Sequence, residues 1–239
     1  MTHSILFLSF SGLYDDPSYA ALLKGGKVLD LTHLDGTCCF CDPDSAAIIR
    51  AKMAENDTKG IRWIDTGDYH YLTLFSLERI GLPFLLLYYD NHPDDQAPAF
   101  GGVLSCGSWL RDLREGNPML EEAWTLGPDH RIRNTAGTVD RELEEGIDDL
   151  LSALAGKRVY LSVDKDVLDR AFSRTDWSQG TYSLDVLKGW LERLLRLDVA
   201  AVDVCGGLSP AQGAKPQDLR VNGETDVELQ EWILTCMER

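Results

Sequence analysis

Apolar runs and polar breaks alternate along the chain in a way that predicts strands and helices in turn. The run Pro83-Phe84-Leu85-Leu86-Leu87-Tyr88-Tyr89 lacks any two-residue alternation, so it predicts a strand covered on both faces, as in the middle of a parallel sheet. Ile5 to Phe10, Val28 to Thr32, Ile61 to Ile64, Trp124 to Leu126, Arg158 to Val163 and Val199 to Val204 read as further strands. Asp42-Pro43 offers an N-cap and a first-turn proline to a helix from about Asp44 to Ala54. Leu72, Leu74, Phe75 and Leu77 make the apolar stripe of a helix over about Tyr71 to Ile80. Other helices are predicted around Trp109-Leu110, from Arg141 to Leu154, from Leu184 to about Leu195 behind the cap Ser183, and from about Thr225 to Met237. Ala211 to Asn222 reads as a polar turn region. Strands alternating with helices predict an α/β fold, a three-layer α/β/α sandwich on a mostly parallel sheet, as one domain over 1–239.

The chemistry falls where strands stop. The central run breaks into Asp90-Asn91-His92-Pro93-Asp94, and ligands in open α/β sheets bind at the carboxyl ends of strands. Asp90, His92 and Asp94 can converge on a cation once Pro93 turns the chain out of strand geometry. Alone, such an acidic triplet also serves to cap a following helix. Two other strands end in similar clusters, Asp65-Thr66-Gly67-Asp68-Tyr69-His70 and Asp164-Lys165-Asp166 with Asp169, and a parallel sheet sets all three on one edge.

Gly67-Asp68-Tyr69-His70, Asp90-Asn91-His92-Pro93-Asp94 and Ser162-Val163-Asp164-Lys165-Asp166-Val167-Leu168-Asp169 resemble, in order, the G-G-D-H, D-A-H-x-D and S-x-D-x-D-x-x-D-P signatures of the arginase/agmatinase (ureohydrolase) superfamily. The resemblance spans roughly Ile64 to Pro210. It implies a site for two divalent metal ions, typically Mn2+, with His70 and Asp94 on one, His92 and Asp166 on the other, and Asp90 and Asp164 shared. Oxygen donors dominate that set, which favours manganese over a thiolate-loving ion. Four carboxylates crowded together without a cation would repel one another, so a purely structural role makes little chemical sense. The implied reaction is hydrolysis of a C–N bond in an amidine, guanidino or amide compound by water activated between the two metals.

The chain also departs from the family pattern. Tyr69 is an extra residue before His70, and Arg170 follows Asp169 where the family has proline. Ser105-Cys106-Gly107 stands where agmatinase-like members have Ser-His-Gly, so Cys106 occupies the place of a proton-shuttling histidine. A thiol beside two cations is a candidate acid, base or nucleophile, but a cysteine before glycine more often packs as a small buried residue. Asp203 matches a retained aspartate, either supporting a metal histidine or satisfied by local amides. The glutamate that grips a guanidinium is replaced by Gly206 or Gly207, which argues against plain arginine as substrate. Gln179, in the loop after Trp177-Ser178, is a candidate polar contact. The candidate catalytic residues are therefore Asp94, Cys106 and Asp203, and the candidate substrate contacts Cys106, Gln179 and Gly207. Alternatives are a metal-binding relative without turnover and a single-metal, deacetylase-like amidohydrolase.

Composition narrows the setting. The formal charge of −16 over 239 residues repels nucleic acid and anionic lipid, and no apolar run approaches a membrane span, so a small-molecule substrate in the cytoplasm is expected, with a homo-oligomer possible. Six cysteines then read as reduced thiols. The C-x-x-C in Cys38-Cys39-Phe40-Cys41 has no second pair at zinc-finger spacing and does not predict a structural zinc. His3, His33 and His130 match no motif.

Overall fold

The computed structural model describes residues 3–56, 59–98, 101–127 and 130–238. In chain order the described elements are β1 Ile5–Ser9, β2 Lys27–Asp30, β3 Phe40–Cys41, α1 Pro43–Ala54, β4 Gly60–Ile64, α2 Leu72–Leu77, β5 Phe84–Tyr89, β6 Leu104–Ser105, α3 Trp109–Gly116, β7 Leu120–Leu126, β8 Arg131–Asn134, β9 Asp140–Glu142, α4 Leu143–Leu154, β10 Arg158–Asp164, α5 Leu184–Leu194, β11 Asp198–Cys205 and α6 Pro216–Met237. Nine strands form one sheet in the order β2-β1-β4-β11-β10-β5-β7-β8-β9. It is parallel from β2 to β7, and β8 and β9 extend it antiparallel.

Every residue of β5 is buried, as its unbroken apolar run requires of a strand with helices on both faces. One core packs Ile49, Met53, Phe75, Trp109 and Leu113 of α1 to α3 against one face, and a second packs Ile147, Leu150, Leu191, Leu229 and Ile233 of α4 to α6 against the other. The expected α/β/α sandwich is what the chain forms. No helix among the described residues is long and apolar enough to cross a membrane.

Three regions differ from the expectations, one of them the short antiparallel pair of β3 and β6. β8 and β9 are too short and too charged to announce themselves, and they pair through Arg131, which reaches Asp140 at 2.5 Å and Glu142 at 2.7 Å across the ladder. Charged side chains of this kind suit the edge of a sheet, where they discourage pairing with another chain. The last helix begins at Pro216, nine residues before the expected start, because a proline in the first turn has no N–H to lose and Asp218 accepts from Lys215 N at 3.0 Å. The polar stretch before Asn222 therefore belongs partly to α6.

The sheet order positions the site. After β4 the chain crosses over β11 and β10 to reach β5, so the four central strands β4, β11, β10 and β5 lie side by side with their carboxyl ends together. This is a topological switch point, where a crevice opens between diverging connections.

Candidate metal centre

Each strand end bends its acidic residues inward by local means. After β5, Asp90 accepts from His92 N at 2.6 Å through Oδ1, and Asp94 takes a left-handed φ of 46° that returns its side chain to the cluster. There Trp109 Nε1 donates to Asp94 Oδ2 at 2.6 Å. After β10, Asp164 Oδ1 accepts from Asp166 N at 2.9 Å, which folds Lys165–Val167 into a single tight turn and brings Asp166 round beside Asp164. After β4, the turn Gly67–Tyr69 leads to His70, and the extra Tyr69 is absorbed by stacking on Phe10 with ring centroids 4.6 Å apart.

The result is two groups that share a carboxylate. His70 Nδ1 lies 3.1 Å from Asp90, 3.0 Å from Asp94 and 3.6 Å from Asp164, while His92 Nδ1 lies 2.6 Å from Asp166 and 3.6 Å from Asp90. Both imidazoles turn Nδ1 inward. Their Nε2 atoms meet hydroxyls outside the cluster, Ser162 at 3.0 Å from His70 and Ser178 at 2.7 Å from His92. A hydroxyl that accepts at Nε2 leaves the Nδ1 lone pair free for a ligand role and fixes the ring's direction.

The electrostatics are those of a site short of positive charge. Burial first, and then a neighbouring carboxylate, raises Asp90 and Asp164 to about 6 and Asp166 to about 7, the neighbours being Asp94, Asp166 and Asp90 respectively. The hydrogen bond to Asp166 leads the causes that hold His92 up at about 10. At His70 burial opposes charge, and because Cys205 stays a thiol under burial and the Asp164 carboxylate, the net rise is carried by Asp90 and Asp94. Asp90 Oδ2 is buried yet receives no well-directed hydrogen bond among the described residues. A buried set of four carboxylates and two imidazoles, in which Asp90 faces His70 through Oδ2 and His92 through Oδ1, suits hard divalent cations. The pocket here has a free volume of about 40 Å³ and is lined by the six side chains together with Gly67, Gln96, Cys106, Gly107 and Trp177. That is room for roughly three water-sized bodies.

An uncharacterized protein of Thermotoga maritima is 30% identical over 221 residues, 90% of this chain and 84% of that protein. No protein-family model matches the chain. Among solved structures, proclavaminate amidino hydrolase from Streptomyces clavuligerus aligns with a TM-score of 0.64 at 17% identity, over 98% of this chain and 93% of that one. Formimidoylglutamase from Bacillus subtilis aligns at 0.65 with 16% identity over 98% and 87%, and arginase from Bacillus caldovelox at 0.62 with 12% identity over 97% and 98%. The chain therefore shares its fold with these three hydrolases.

The rim of this pocket departs from several expectations. Gln179 does not reach the pocket, because its amide donates to the carbonyls of Leu168 and Ser173, each at 3.1 Å. Gly207 is absent from the pocket wall too. Its N–H donates to the Asp65 carbonyl at 3.2 Å, and a Cβ there would sit 2.6 Å from Leu13. Gly206 has a φ of 94°, and a Cβ on it would fall 2.4 Å from Asp164 Oδ1. Neither position has room for a glutamate. Asp203 is fully buried behind the cluster, where Tyr160 donates to it at 2.8 Å; the group that touches His70 Nε2 is Ser162, not Asp203. Cys106 does line the pocket, but burial and the carboxylates of Asp94 and Asp68 push its thiol up to about 12, so its surroundings do not make it a low-pKa thiolate.

Other residues at the site were not among the candidates. Cys205, at the end of β11, places Sγ 3.0 Å from Asp164 Oδ2 and within ligand range of His70 and Asp164. Trp177 covers the mouth, with Nε1 donating to Asp68 Oδ1 at 3.1 Å and its ring edge-on to His92 at 5.7 Å. Gln212 Nε2 donates to Asp68 at 2.9 Å and to Asp176 at 3.0 Å. These residues are distant in sequence and without local pattern.

Proposed function

We propose that this protein is a metal-dependent hydrolase that cleaves a C–N bond in an amidine, guanidino or amide compound other than plain arginine. His70 and Asp94 would hold one divalent ion, His92 and Asp166 a second, and Asp90 and Asp164 both, with Mn2+ as the expected metal. Two such ions supply a water acidified towards neutrality and a positive field for charge developing on the substrate. The chain's own part is to hold each imidazole by a serine at Nε2, to anchor Asp94 through Trp109, and to exclude bulk water with Trp177. Gln96 offers a polar group on the pocket wall for a substrate amide or amidine.

The observation that carries this reading is the meeting of six side chains, four carboxylates and two imidazoles, from three strand ends around Asp90. Substrate class follows from what the wall lacks. With glycine at 206 and 207, the described pocket lining holds no carboxylate besides the four proposed metal ligands for a guanidinium to pair with, and the missing charge-assisted hydrogen bond is worth about 1.5–3 kcal/mol. The formimidoyl group named for one similar structure suits that lining better than the arginine named for another.

The test is metal content and turnover together. Protein loaded with Mn2+ should hold two ions per chain and release urea or ammonia from a member of a panel of amidino, formimino and guanidino compounds, and His92→Ala with Asp164→Asn should abolish both. Ion uptake that survives the double change overturns the metal centre. Two bound ions with no release from any compound favours the second reading, a binding protein without turnover, and a single tightly held zinc favours a deacetylase-like centre.

A further inference from the structure

The Cys38-Cys39-Phe40-Cys41 segment plays no part in the centre described above, yet Cys38 meets Asp68, which also holds the pocket-lining Trp177. β3 pairs antiparallel with β6, Phe40 opposite Ser105 and Cys41 opposite Leu104, and Cys106 N extends the ladder by donating to the Cys39 carbonyl at 2.9 Å. Cys39 has a φ of 59°, in the left-handed region that residues other than glycine rarely occupy. Phe40 N donates to the Cys38 carbonyl at 2.7 Å, closing a tight three-residue turn about Cys39.

That turn decides where the thiols point. In an extended chain, successive side chains face opposite ways. Here Cys38 Sγ lies 3.3 Å from Asp68 Oδ2, and donor atoms of Cys38, Cys39 and Asp68 all lie within 4.8 Å of one another. Cys41 takes no part, being buried with Sγ 3.7 Å from the Asp42 carbonyl. The C-x-x-C spacing is thus incidental, and the adjacent pair is the one brought to a carboxylate. Asp68 is buried and Cys38 exposed, so the cluster is anchored on the protein side and open on the other.

We propose that Cys38, Cys39 and Asp68 form a separate site for one thiophilic divalent cation of the zinc class. Two thiolates and a carboxylate are three donors of a tetrahedral set, with the fourth place open to water or to the neighbouring Cys106. Soft donors select against the ions that suit the six-residue oxygen-rich centre, so the two sites sort different metals. Binding forms two metal–sulfur bonds and one metal–oxygen bond and releases the two thiol protons to solvent, so affinity rises with pH. Asp68 also accepts from Trp177 Nε1 and Gln212 Nε2, which ties occupancy of the site to the residue that covers the pocket mouth.

The experiment uses the full chain, loaded with Mn2+ and kept reduced by a non-thiol reductant, titrated with Co2+ as a spectroscopic probe and with Zn2+ in competition. One further equivalent should bind with a thiolate-to-cobalt charge-transfer band in the near ultraviolet, and Trp177 fluorescence should change in step. Cys38→Ser, an exposed change, should weaken that binding at least tenfold and leave the Mn2+ content as it was; Cys41→Ser should leave the band in place. Absence of the band overturns the proposal. So does a band that survives Cys38→Ser with Cys39→Ser and vanishes in Cys205→Ser, since the thiolate ligand would then lie in the oxygen-rich centre. Mn2+ content is read separately, so failure here is distinct from failure of the hydrolase reading.

Discussion

Asp164→Asn separates the cost of crowded charge from the gain of cation binding. Asp164 is fully buried, with Oδ1 accepting from Asp166 N at 2.9 Å and Oδ2 lying 3.0 Å from Cys205 Sγ and 3.6 Å from His70 Nδ1. Asparagine keeps the shape, its oxygen can take the Asp166 N–H, and its NH2 then faces Cys205 and His70. The change removes a charge without opening a hole. Burial, and then Asp166, raises the Asp164 carboxyl from 3.8 to about 6. The native chain therefore keeps a proton that the unfolded chain gives up across that interval, and metal-free stability falls as pH rises through it. Above that interval the full penalty is present, about 3 kcal/mol for roughly two pH units. Without metal, the Asn variant should melt above the parent at neutral pH by up to about 6–12 °C for a chain of this size. Near pH 4 the two should melt together. Excess Mn2+ should reverse the order at neutral pH if Asp164 is shared by two ions as proposed. The assay is thermal unfolding in chelator and in Mn2+ at both pH values. A variant that melts below the parent in chelator at neutral pH refutes the claim of uncompensated charge, and one that keeps the full Mn2+ stabilisation refutes Asp164 as a ligand.

Trp109→Phe removes the N–H that holds Asp94 Oδ2 while keeping most of the buried ring, so Mn2+ affinity should drop about 10–100-fold in a metal titration, as for other supporting partners of metal ligands. Lys165→Met strands the buried carboxylate of Asp226, which otherwise pairs with Lys165 Nζ; chemical denaturation should show a loss of about 3–5 kcal/mol, largely regained when Asp226→Leu is added. Gly67→Ala would place a Cβ 2.9 Å from Trp177 Cδ1, so overpacking should cost about 1–3 kcal/mol and shift Trp177 fluorescence by lifting the ring from the pocket mouth.

Much of this protein was legible in its sequence, for reasons of range. Strand and helix periodicity is set over a few residues, so the alternation of elements, the buried β5 and the cap at Asp42 could be read directly; Asp42 indeed accepts from Asp44 N and Ser45 N. The three strand-end motifs were legible because each packs its donors within five consecutive residues or fewer. Signals weaker than that were lost: β8 and β9 are held by cross-strand charges, and the early start of α6 rests on a proline that looked like a turn.

The tertiary structure decided what surrounds the donors. Asp94 reaches the cluster because of a left-handed backbone and an indole fifteen residues away, and His70 is held by a serine ninety-two residues away. Gly206 is required by the closeness of Asp164, Cys205 enters because β11 lies between β4 and β10, and Gln179 is turned to its own loop. No local pattern encodes these contacts, since each depends on which strand ends the sheet order sets side by side. The sequence by itself put side chains of cation-binding chemistry at three strand ends; their distances, their uncompensated charge and the cysteine pair turned towards Asp68 exist only once the sheet has closed.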